Sequence, residues 1–233
     1  MPTRTALALV LPAVLAFSSS ARAQSLKTDD EKTLYALGLI LGGNLKNMSL
    51  KPAEVEIVKR GFTDSALGKK PQVSLEEYGQ KVQAFAQKRS SAQSDKEMVA
   101  GKAYAEKAAK EQGAAKLPSG IVYKQLKPGS GASPQATDRV KVNYEGKLTD
   151  GTVFDSSYKR GQPAEFALNQ VIKCWTEGVQ KMKVGEKAQL VCPSDTAYGA
   201  HGHPPTIPGG ATLVFAVELL DITPAAPAPD AGK

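Results

Sequence analysis

The chain has 233 residues, of which 30 are Lys or Arg and 23 are Asp or Glu, so its formal net charge is +7. This length accommodates one ordinary domain and a second, smaller one. The basic residues are interleaved with acidic ones rather than clustered, which argues against the continuous basic surface of a nucleic-acid-binding protein. We therefore expect no nucleic-acid partner.

Residues 1–23 have the pattern of a cleavable signal peptide. Arg4 precedes an apolar run over residues 6–17, and Ala21 and Ala23 supply the small residues of a cleavage site. The apolar run is too short to cross a bilayer and no similar run follows it, so we predict an exported protein without a membrane span. Cleavage after Ala23 would remove two arginines and lower the net charge from +7 to +5.

Two short helices are predicted within residues 24–70. Thr28 and Glu31 form a capping box for the first helix, and the second opens at Pro52 and ends before Gly68. Apolar residues follow the first cap at spacings of three and four: Leu34, Leu37, Leu41, Leu45 and Met48. So short a segment cannot bury a core of its own. It either packs on the following domain or pairs with a second copy of itself, and we favour the second alternative, a dimerisation module.

A long connecting helix is predicted over residues 71–113. Ser74 and Glu77 form a second capping box. The apolar stripe lasts about three turns before the sequence becomes polar all round, which is typical of a solvent-bridging helix. We therefore expect a stalk between a helical base and the next domain, with Gly101 as a candidate bend.

The next segment, residues 114–223, has the pattern of an α+β domain. Residues 142–157 form a hairpin with its turn at Asp150-Gly151, residues 171–182 are apolar at helical spacing, and residues 212–220 form a closing strand. This order predicts an antiparallel sheet wrapped on a short helix. The final segment, residues 224–233, has the Pro- and Ala-rich composition of a disordered tail.

Six aromatic residues lie beside turns or at the ends of these predicted elements. Aromatic side chains that converge from separate elements form an apolar pocket with a few polar groups, which is the usual form of a small-ligand site. These residues are Tyr144, Phe154, Phe166, Trp175, Tyr198 and Phe215.

Three motifs in this domain point to a known family. They are Tyr-x-Gly-x-Leu-x-Asp-Gly-x-x-Phe-Asp-Ser-Ser at residues 144–157, Val-Ile-x-x-Trp-x-Glu-Gly at 171–178, and Ala-Tyr-Gly-x-x-Gly-x-Pro at 197–204. With them, residues 120–222 closely resemble the FKBP-type peptidyl-prolyl cis-trans isomerases. The helical segment before them resembles, more loosely, the dimerisation module of the macrophage-infectivity-potentiator-like isomerases of bacterial envelopes. The resemblance implies a homodimer through residues 24–70, located in the periplasm or associated with the outer-membrane surface.

The resemblance also implies a role for each site residue. Tyr144, Asp155 and Tyr198 would be the catalytic residues, with Asp155 held at the rim by Tyr144 and Arg160. The indole of Trp175 would form the floor for the proline ring. The substrate-binding residues would be Phe154, Arg160, Phe166, Val171, Ile172, Trp175, His203, Ile207 and Phe215, where Ile172 acts through its backbone N–H and His203 and Ile207 belong to an overhanging loop.

The implied chemistry needs no metal, cofactor or nucleophile. Rotation about an X-Pro bond crosses a barrier of about 18–20 kcal/mol because twisting the bond breaks amide resonance. An apolar pocket can stabilise the twisted amide relative to the planar, hydrated one. The histidines His201 and His203 could indicate a metal site, but neither has a cysteine at ligand spacing, so we expect none.

Each of these assignments has a simpler alternative. Trp175 and Phe215 could be ordinary core residues, and Asp155 could cap a turn or form a surface ion pair that contributes little. The domain could also serve as a binding module or chaperone without turnover. Two departures from the family pattern, Ala164 in place of an aromatic residue and Thr206 in place of a branched aliphatic one, leave macrolide inhibitors as weaker candidate ligands.

The two cysteines, Cys174 and Cys192, are predicted to form a disulfide. They could instead be buried free thiols, which behave as small apolar groups. An even number of cysteines in an exported protein favours the bond, because exported proteins fold in an oxidising compartment. The sequence thus predicts a peptidyl-prolyl isomerase of the bacterial envelope that acts on unfolded or partly folded proline-containing proteins and also holds them against aggregation.

Overall fold

The computed structural model describes residues 25–225. The predicted signal peptide and most of the predicted disordered tail lie outside these residues. Contacts divide the chain into two units, one ending at Leu39 and one beginning at Ile40. Among the described helices, none combines the length and the apolar character that a membrane crossing requires.

Within residues 25–113, three helices precede the sheet, and their N-termini begin where the capping residues predict. They are α1 (Asp29–Gly43), α2 (Pro52–Ala66) and α3 (Leu75–Ala108), with a single 3-10 turn at Lys46–Met48 between the first two. The Thr28 hydroxyl accepts a hydrogen bond from the Glu31 N–H at 3.1 Å, and the Glu31 carboxylate accepts one from the Thr28 N–H at 3.0 Å. Neither α1 nor α2 contains a buried residue.

The second half of α3 differs from the predicted solvent-bridging stalk. The helix ends at Ala108, and Gly101, the candidate bend, lies within it. From Ser94 onward its buried residues, Ser94, Gly101, Ala105 and Ala108, lie on one face of the helix. Ala105 and Ala108 pack against Val122 and Val191 of the sheet. This buried face is not apparent in the sequence, because small residues contribute little to a hydrophobic periodicity. They nevertheless allow the helix backbone to approach the sheet most closely.

The sheet is antiparallel and has seven strands. The strands are β1 (Ala114–Lys116), β2 (Val122–Lys127), β3 (Arg139–Leu148), β4 (Val153–Ser156), β5 (Ala164–Ala167), β6 (Lys187–Cys192) and β7 (Leu213–Thr223). They lie in the order β1-β2-β6-β7-β3-β4, and β5 pairs with another part of β3. The β3–β4 hairpin turns at the predicted Asp150-Gly151, where Gly151 has a φ of +88° and the Asp150 carboxylate accepts from the Thr152 N–H at 2.8 Å. The predicted α+β class is confirmed.

Two short helices connect the strands of the sheet. Helix α4 (Ser157–Arg160) follows β4 directly, and α5 (Lys173–Val179) packs against the core with Trp175 and Val179 buried. Cys174 of α5 is bonded to Cys192 of β6, as predicted, with 5.6 Å between their Cα atoms. Both cysteines are fully buried, so the disulfide fastens the helix beneath the site to the sheet.

We expect a chain that begins at Ala114 to be less stable than one that begins at Gln93. The shorter chain lacks the part of α3 that covers Val122 and Val191, which are 1% exposed in the complete structure. Exposing part of two valines costs about 2 kcal/mol. Urea unfolding followed by circular dichroism measures the difference, and equal midpoints would mean that α3 does not stabilise the sheet.

A buried carboxyl group lies at the start of β6, away from the predicted site. Glu186 is 2% exposed and accepts hydrogen bonds from the Tyr123 hydroxyl and, at 3.1 Å, from the Lys183 N–H. Burial raises the pKa of Glu186, and the Lys183 hydrogen bond opposes that rise only in part. The folded protein therefore binds this proton more tightly than the unfolded chain does.

The Glu186→Gln variant should be more stable than the wild type at pH 7. Because the folded pKa is raised, the contribution of Glu186 to stability is present below the unfolded pKa, about 4.3, and is lost as the pH rises through the folded pKa. Glutamine does not titrate, and its carbonyl can accept from the Lys183 N–H while its amide donates to the Tyr123 oxygen. Thermal unfolding of both proteins, followed from below the ordinary pKa of glutamate to above neutral pH, tests this difference. If the stability of the two proteins varied with pH in the same way, Glu186 would not have a raised pKa in the folded protein.

Candidate active site

A cavity of about 470 Å³ opens where α5 meets β3, β4 and β7. Every residue that lines it except Gln170 was predicted from the sequence. The lining residues are Tyr144, Phe154, Asp155, Phe166, Gln170, Val171, Ile172, Trp175, Tyr198 and Phe215. Gln170 ends a 3-10 turn before α5, and its polar side chain gave no periodic or aromatic signal.

The indole of Trp175 lies at the centre of the cavity's aromatic cluster. The rings of Tyr144, Phe166 and Phe215 meet it edge to face, with centroid separations of 5.1, 5.5 and 5.4 Å. Trp175 and Phe215 are 4% and 5% exposed, so both belong to the core and also line the cavity. Edge-to-face packing of this kind fixes the shape of an apolar recess.

Gly146 of the first motif allows two of these rings to meet. The rings of Phe154 and Phe215 lie 5.6 Å apart, and a Cβ atom on Gly146 would lie 2.6 Å from Cζ of Phe154 and 2.8 Å from Cε1 of Phe215. Any other residue at this position would displace a ring from the cavity wall. This role of Gly146 is not visible in the sequence, because a glycine inside a strand does not reveal which side chains approach it.

A polar cluster lies at one edge of the cavity, as the family resemblance implied. The Tyr144 hydroxyl donates to one carboxylate oxygen of Asp155, and the Arg160 guanidinium donates to the other and, at 2.8 Å, to the Tyr144 oxygen. Burial raises the pKa of Asp155, but the hydrogen bonds from Tyr144 and Arg160 outweigh it, and the net pKa lies below the ordinary value. Burial and the neighbouring carboxylate raise the pKa of Tyr144. The cluster therefore presents a carboxylate and a protonated phenol at neutral pH.

The paired serines of the first motif position this cluster. The fully buried Ser157 accepts from the Tyr144 N–H at 2.9 Å through its hydroxyl, which fixes the backbone beneath the phenol. The Ser156 hydroxyl caps α4 by accepting from the Lys159 N–H at 3.4 Å, and the single turn of α4 brings Arg160 back to Asp155. Both serines therefore have a structural role in holding the rim.

The loop after β6 covers another edge of the cavity. Tyr198 lines the cavity and is 39% exposed, and its ring centroid lies 5.5 Å from that of His203. His203 and Ile207 exchange two backbone hydrogen bonds, of 2.8 and 2.9 Å, which close the loop on itself. Neither residue lines the cavity: His203 is exposed and Ile207 is buried in the core. Arg160 also lies outside the lining and reaches the cavity through Asp155.

The arrangement can bind and desolvate a small apolar ring while its polar edge orients an amide. Within residues 25–225, no cluster of three or more His, Cys, Asp or Glu side chains could hold a metal ion. An apolar floor, edge-on aromatic walls and a few polar groups at the edge match the polarity of a proline residue with its flanking peptide bonds.

Comparisons with known proteins agree with this geometry. The family described as FKBP-type peptidyl-prolyl cis-trans isomerase matches residues 131–220, and the domain amino-terminal to such isomerases matches residues 30–124. The isomerase FkpA of Escherichia coli K12 is 44% identical over 92% of this chain and 82% of the relative, and the outer membrane protein MIP of Legionella longbeachae is 35% identical over 88% and 90%. A crystal structure of FkpA from Escherichia coli, 38% identical, covers 87% of this chain and 100% of that chain with a TM-score of 0.66. This chain therefore belongs to the family of FKBP-type peptidyl-prolyl cis-trans isomerases.

Proposed function

We propose that the cavity over Trp175 is the place where this isomerase turns over X-Pro bonds. The observation that carries the proposal is the combination of an apolar floor, formed by Trp175 and the three rings packed edge-on against it, with the Asp155 cluster at the edge. The floor would bind the proline ring, and the polar edge would face the carbonyl that rotates.

Catalysis in this cavity is differential stabilisation of the twisted amide. In the planar ground state, resonance places charge on the amide oxygen, which water solvates well. The twisted amide has lost that resonance. Its transfer from water into an apolar recess therefore costs less free energy than the transfer of the planar amide. An interaction that is stronger in the transition state than in the ground state accelerates the reaction. No proton has to move.

The polar groups at the cavity orient the substrate backbone. The Tyr198 hydroxyl donates to one substrate carbonyl. The Ile172 N–H makes no hydrogen bond with another described residue and donates to a second carbonyl. The Asp155 carboxylate, fixed by Tyr144 and Arg160, lies near the rotating carbonyl carbon. Orientation of this kind lowers the entropic part of the barrier.

The substrates are unfolded or partly folded proteins that contain proline. The cavity is open to solvent, so an extended chain can place one proline in it while its flanking residues remain outside. Macrolide inhibitors would bind more weakly than to family members with an aromatic residue at position 164. Ala164 packs against the core rather than lining the cavity, and Thr206 is exposed, with its hydroxyl donating to the His203 carbonyl at 3.3 Å.

The chain acts as a homodimer through residues 24–70 and holds unfolded clients between its two copies. In α1, Leu34 is 67% exposed, and in α2, Phe62 is 57% exposed, although both belong to apolar helix faces. Apolar surface of this extent on short helices without buried residues is typical of a protein–protein interface. The signal-peptide pattern and the similarity to the outer membrane protein MIP of Legionella longbeachae support a location in the bacterial envelope.

A protease-coupled assay on a Leu-Pro tetrapeptide tests the site. The full chain should accelerate cis-to-trans conversion above the uncatalysed rate, and Trp175→Leu should remove most of the acceleration because it removes the floor. His201→Ala, an exposed change in the neighbouring loop, serves as the control. Unaccelerated conversion by the correctly folded wild type would favour the alternative of a binding module on this fold.

Sedimentation and an aggregation assay test the assembly. The full chain should sediment as a dimer, Phe62→Asp should dissociate it, and the dissociated protein should retain peptide isomerisation while losing most suppression of aggregation. Two linked sites raise the effective concentration for a client that touches both. A monomeric wild type, or equal suppression by both proteins, would overturn this part of the proposal.

A further inference from the structure

The buried face of α3 lies against the segment that closes the active-site loop. A Cβ atom on Gly101 would lie 2.1 Å from Oγ1 and 2.8 Å from Cβ of Thr212. A Cβ atom on Gly210 would lie 2.3 Å from the Ser94 carbonyl oxygen and 3.0 Å from Cγ of Met98. Each of the two contacts therefore depends on a glycine, one on the helix and one on the loop.

The contacted segment is tied to the residues of the site. The Gly210 N–H donates to the carbonyl of Gly199, the residue after Tyr198, at 2.8 Å. A Cβ atom on Gly209 would lie 2.0 Å from the Ala200 carbonyl oxygen, so the two sides of the loop are in close backbone contact. The loop is further closed by the hydrogen bonds between His203 and Ile207. These contacts link Gly210 to the residues next to Tyr198, so a displacement of Gly210 would also displace Tyr198.

The side chain of Ser94 shows that α3 is held against Gly210 by close van der Waals packing rather than by hydrogen bonds. Its side chain is buried, with the residue 3% exposed, and its hydroxyl has no hydrogen-bond partner among the described residues. A buried hydroxyl without a partner is destabilising, because it has lost its hydrogen bonds to water. The helix therefore packs against Gly210 in spite of a local cost, and the loop is held by the close fit of two backbones.

We propose that α3 is a positioning element of the isomerase site, through the contacts of Ser94 with Gly210 and of Gly101 with Thr212. These contacts fix the loop over residues 197–211 and thereby hold Tyr198 at the cavity. This inference rests on the proposed role of Tyr198 in binding the substrate carbonyl. It assigns to the helix before the isomerase domain a part in the geometry of the site.

The test compares Gly101→Leu with Gly79→Leu in the full chain. Both substitutions replace a glycine of α3 by a good helix former, but a Cβ atom on Gly79 meets nothing within 4 Å. Gly101→Leu should push the helix away from Thr212 and lower kcat/KM for the Leu-Pro peptide by about tenfold to a hundredfold, since a misplacement of about 1 Å in a positioning group can cost about a hundredfold. Gly79→Leu should match the wild type.

Amide hydrogen exchange distinguishes positioning from a general loss of stability. In Gly101→Leu, exchange should quicken at Gly202, His203 and Ile207, whose N–H groups close the loop, and remain unchanged in β3 and β7. If Gly101→Leu does not fold, Gly101→Ala takes its place, because alanine adds only the Cβ atom that clashes with Thr212.

The outcomes separate this inference from the proposed function. Unchanged loop exchange and unchanged kcat/KM in both Gly101 variants would overturn it, as would a loss of activity accompanied by faster exchange throughout the sheet. If the wild type failed to isomerise the peptide, the proposed site would be wrong, whereas loop exchange in the Gly101 variants would still report whether α3 holds the loop.

Discussion

Asp155→Ala will lower kcat/KM for a Leu-Pro peptide by about tenfold to a hundredfold, up to the lower end of the loss that follows removal of one preorganised hydrogen-bond donor from an oxyanion hole. The substitution removes the carboxylate and also leaves the Tyr144 hydroxyl and the Arg160 guanidinium without their shared acceptor. Those two groups then lose their fixed positions at the cavity edge. The protease-coupled assay measures the change. Glu165→Ala, which removes an exposed carboxylate from β5, is the matched control and should leave kcat/KM unchanged.

The wild-type rate should not vary with pH between about 6 and 8, well above the ordinary pKa of aspartate. The pKa of Asp155 lies below that ordinary value, because the hydrogen bonds from Tyr144 and Arg160 outweigh burial, so the carboxylate is ionised throughout this range. Its stabilising effect is lost only as the pH falls through the lowered pKa. A bell-shaped profile centred near neutral pH would instead indicate proton transfer by a side chain at the site, with His203 as the candidate.

Removing the disulfide will cost about 3 kcal/mol of stability, the loop-closure entropy of a loop of this length. Cys174 and Cys192 are separated by 18 residues and are both fully buried, so the bond restricts the unfolded chain. Urea unfolding of the Cys174→Ala/Cys192→Ala variant measures the loss. Because Cys174 adjoins Trp175, the variant should also bind the Leu-Pro peptide more weakly at temperatures close to its unfolding midpoint.

Reduction provides the control for the disulfide. Wild-type protein unfolded with a reductant should show the same midpoint as the double variant, since both lack the cross-link. The native protein without reductant should have an intact mass lower by two hydrogens than the reduced protein. Two free thiols in the native protein, or equal stability with and without the bond, would contradict this account.

The local features of the chain were determined by its sequence. The Thr28–Glu31 capping box and the Asp150-Gly151 turn depend on residues within a few positions of one another, and the structure contains both, as it does the α+β order. Of the predicted capping box at Ser74, the structure contains the hydrogen bond from the Glu77 N–H to the Ser74 hydroxyl, at 3.4 Å. Four aromatic residues of the site, Tyr144, Phe154, Trp175 and Tyr198, could be named from their positions in motifs, and Phe166 and Phe215 from their places at the ends of predicted elements. The Cys174–Cys192 bond followed from the number of cysteines and the compartment implied by the predicted signal peptide.

Contacts between distant segments were decided only by the tertiary structure. The small residues of α3, the close approach of Phe154 and Phe215 over Gly146, and the burial of Ile207 each depend on which element arrives opposite. Small residues and strand glycines carry almost no hydrophobic periodicity, so their role becomes visible only when the neighbouring backbone is in place. The sequence of the long helix therefore predicts a solvent-exposed polar stalk, although the second half of the helix packs on the sheet. Close packing depends on the shapes of both contacting surfaces, and the helix sequence describes only one of them.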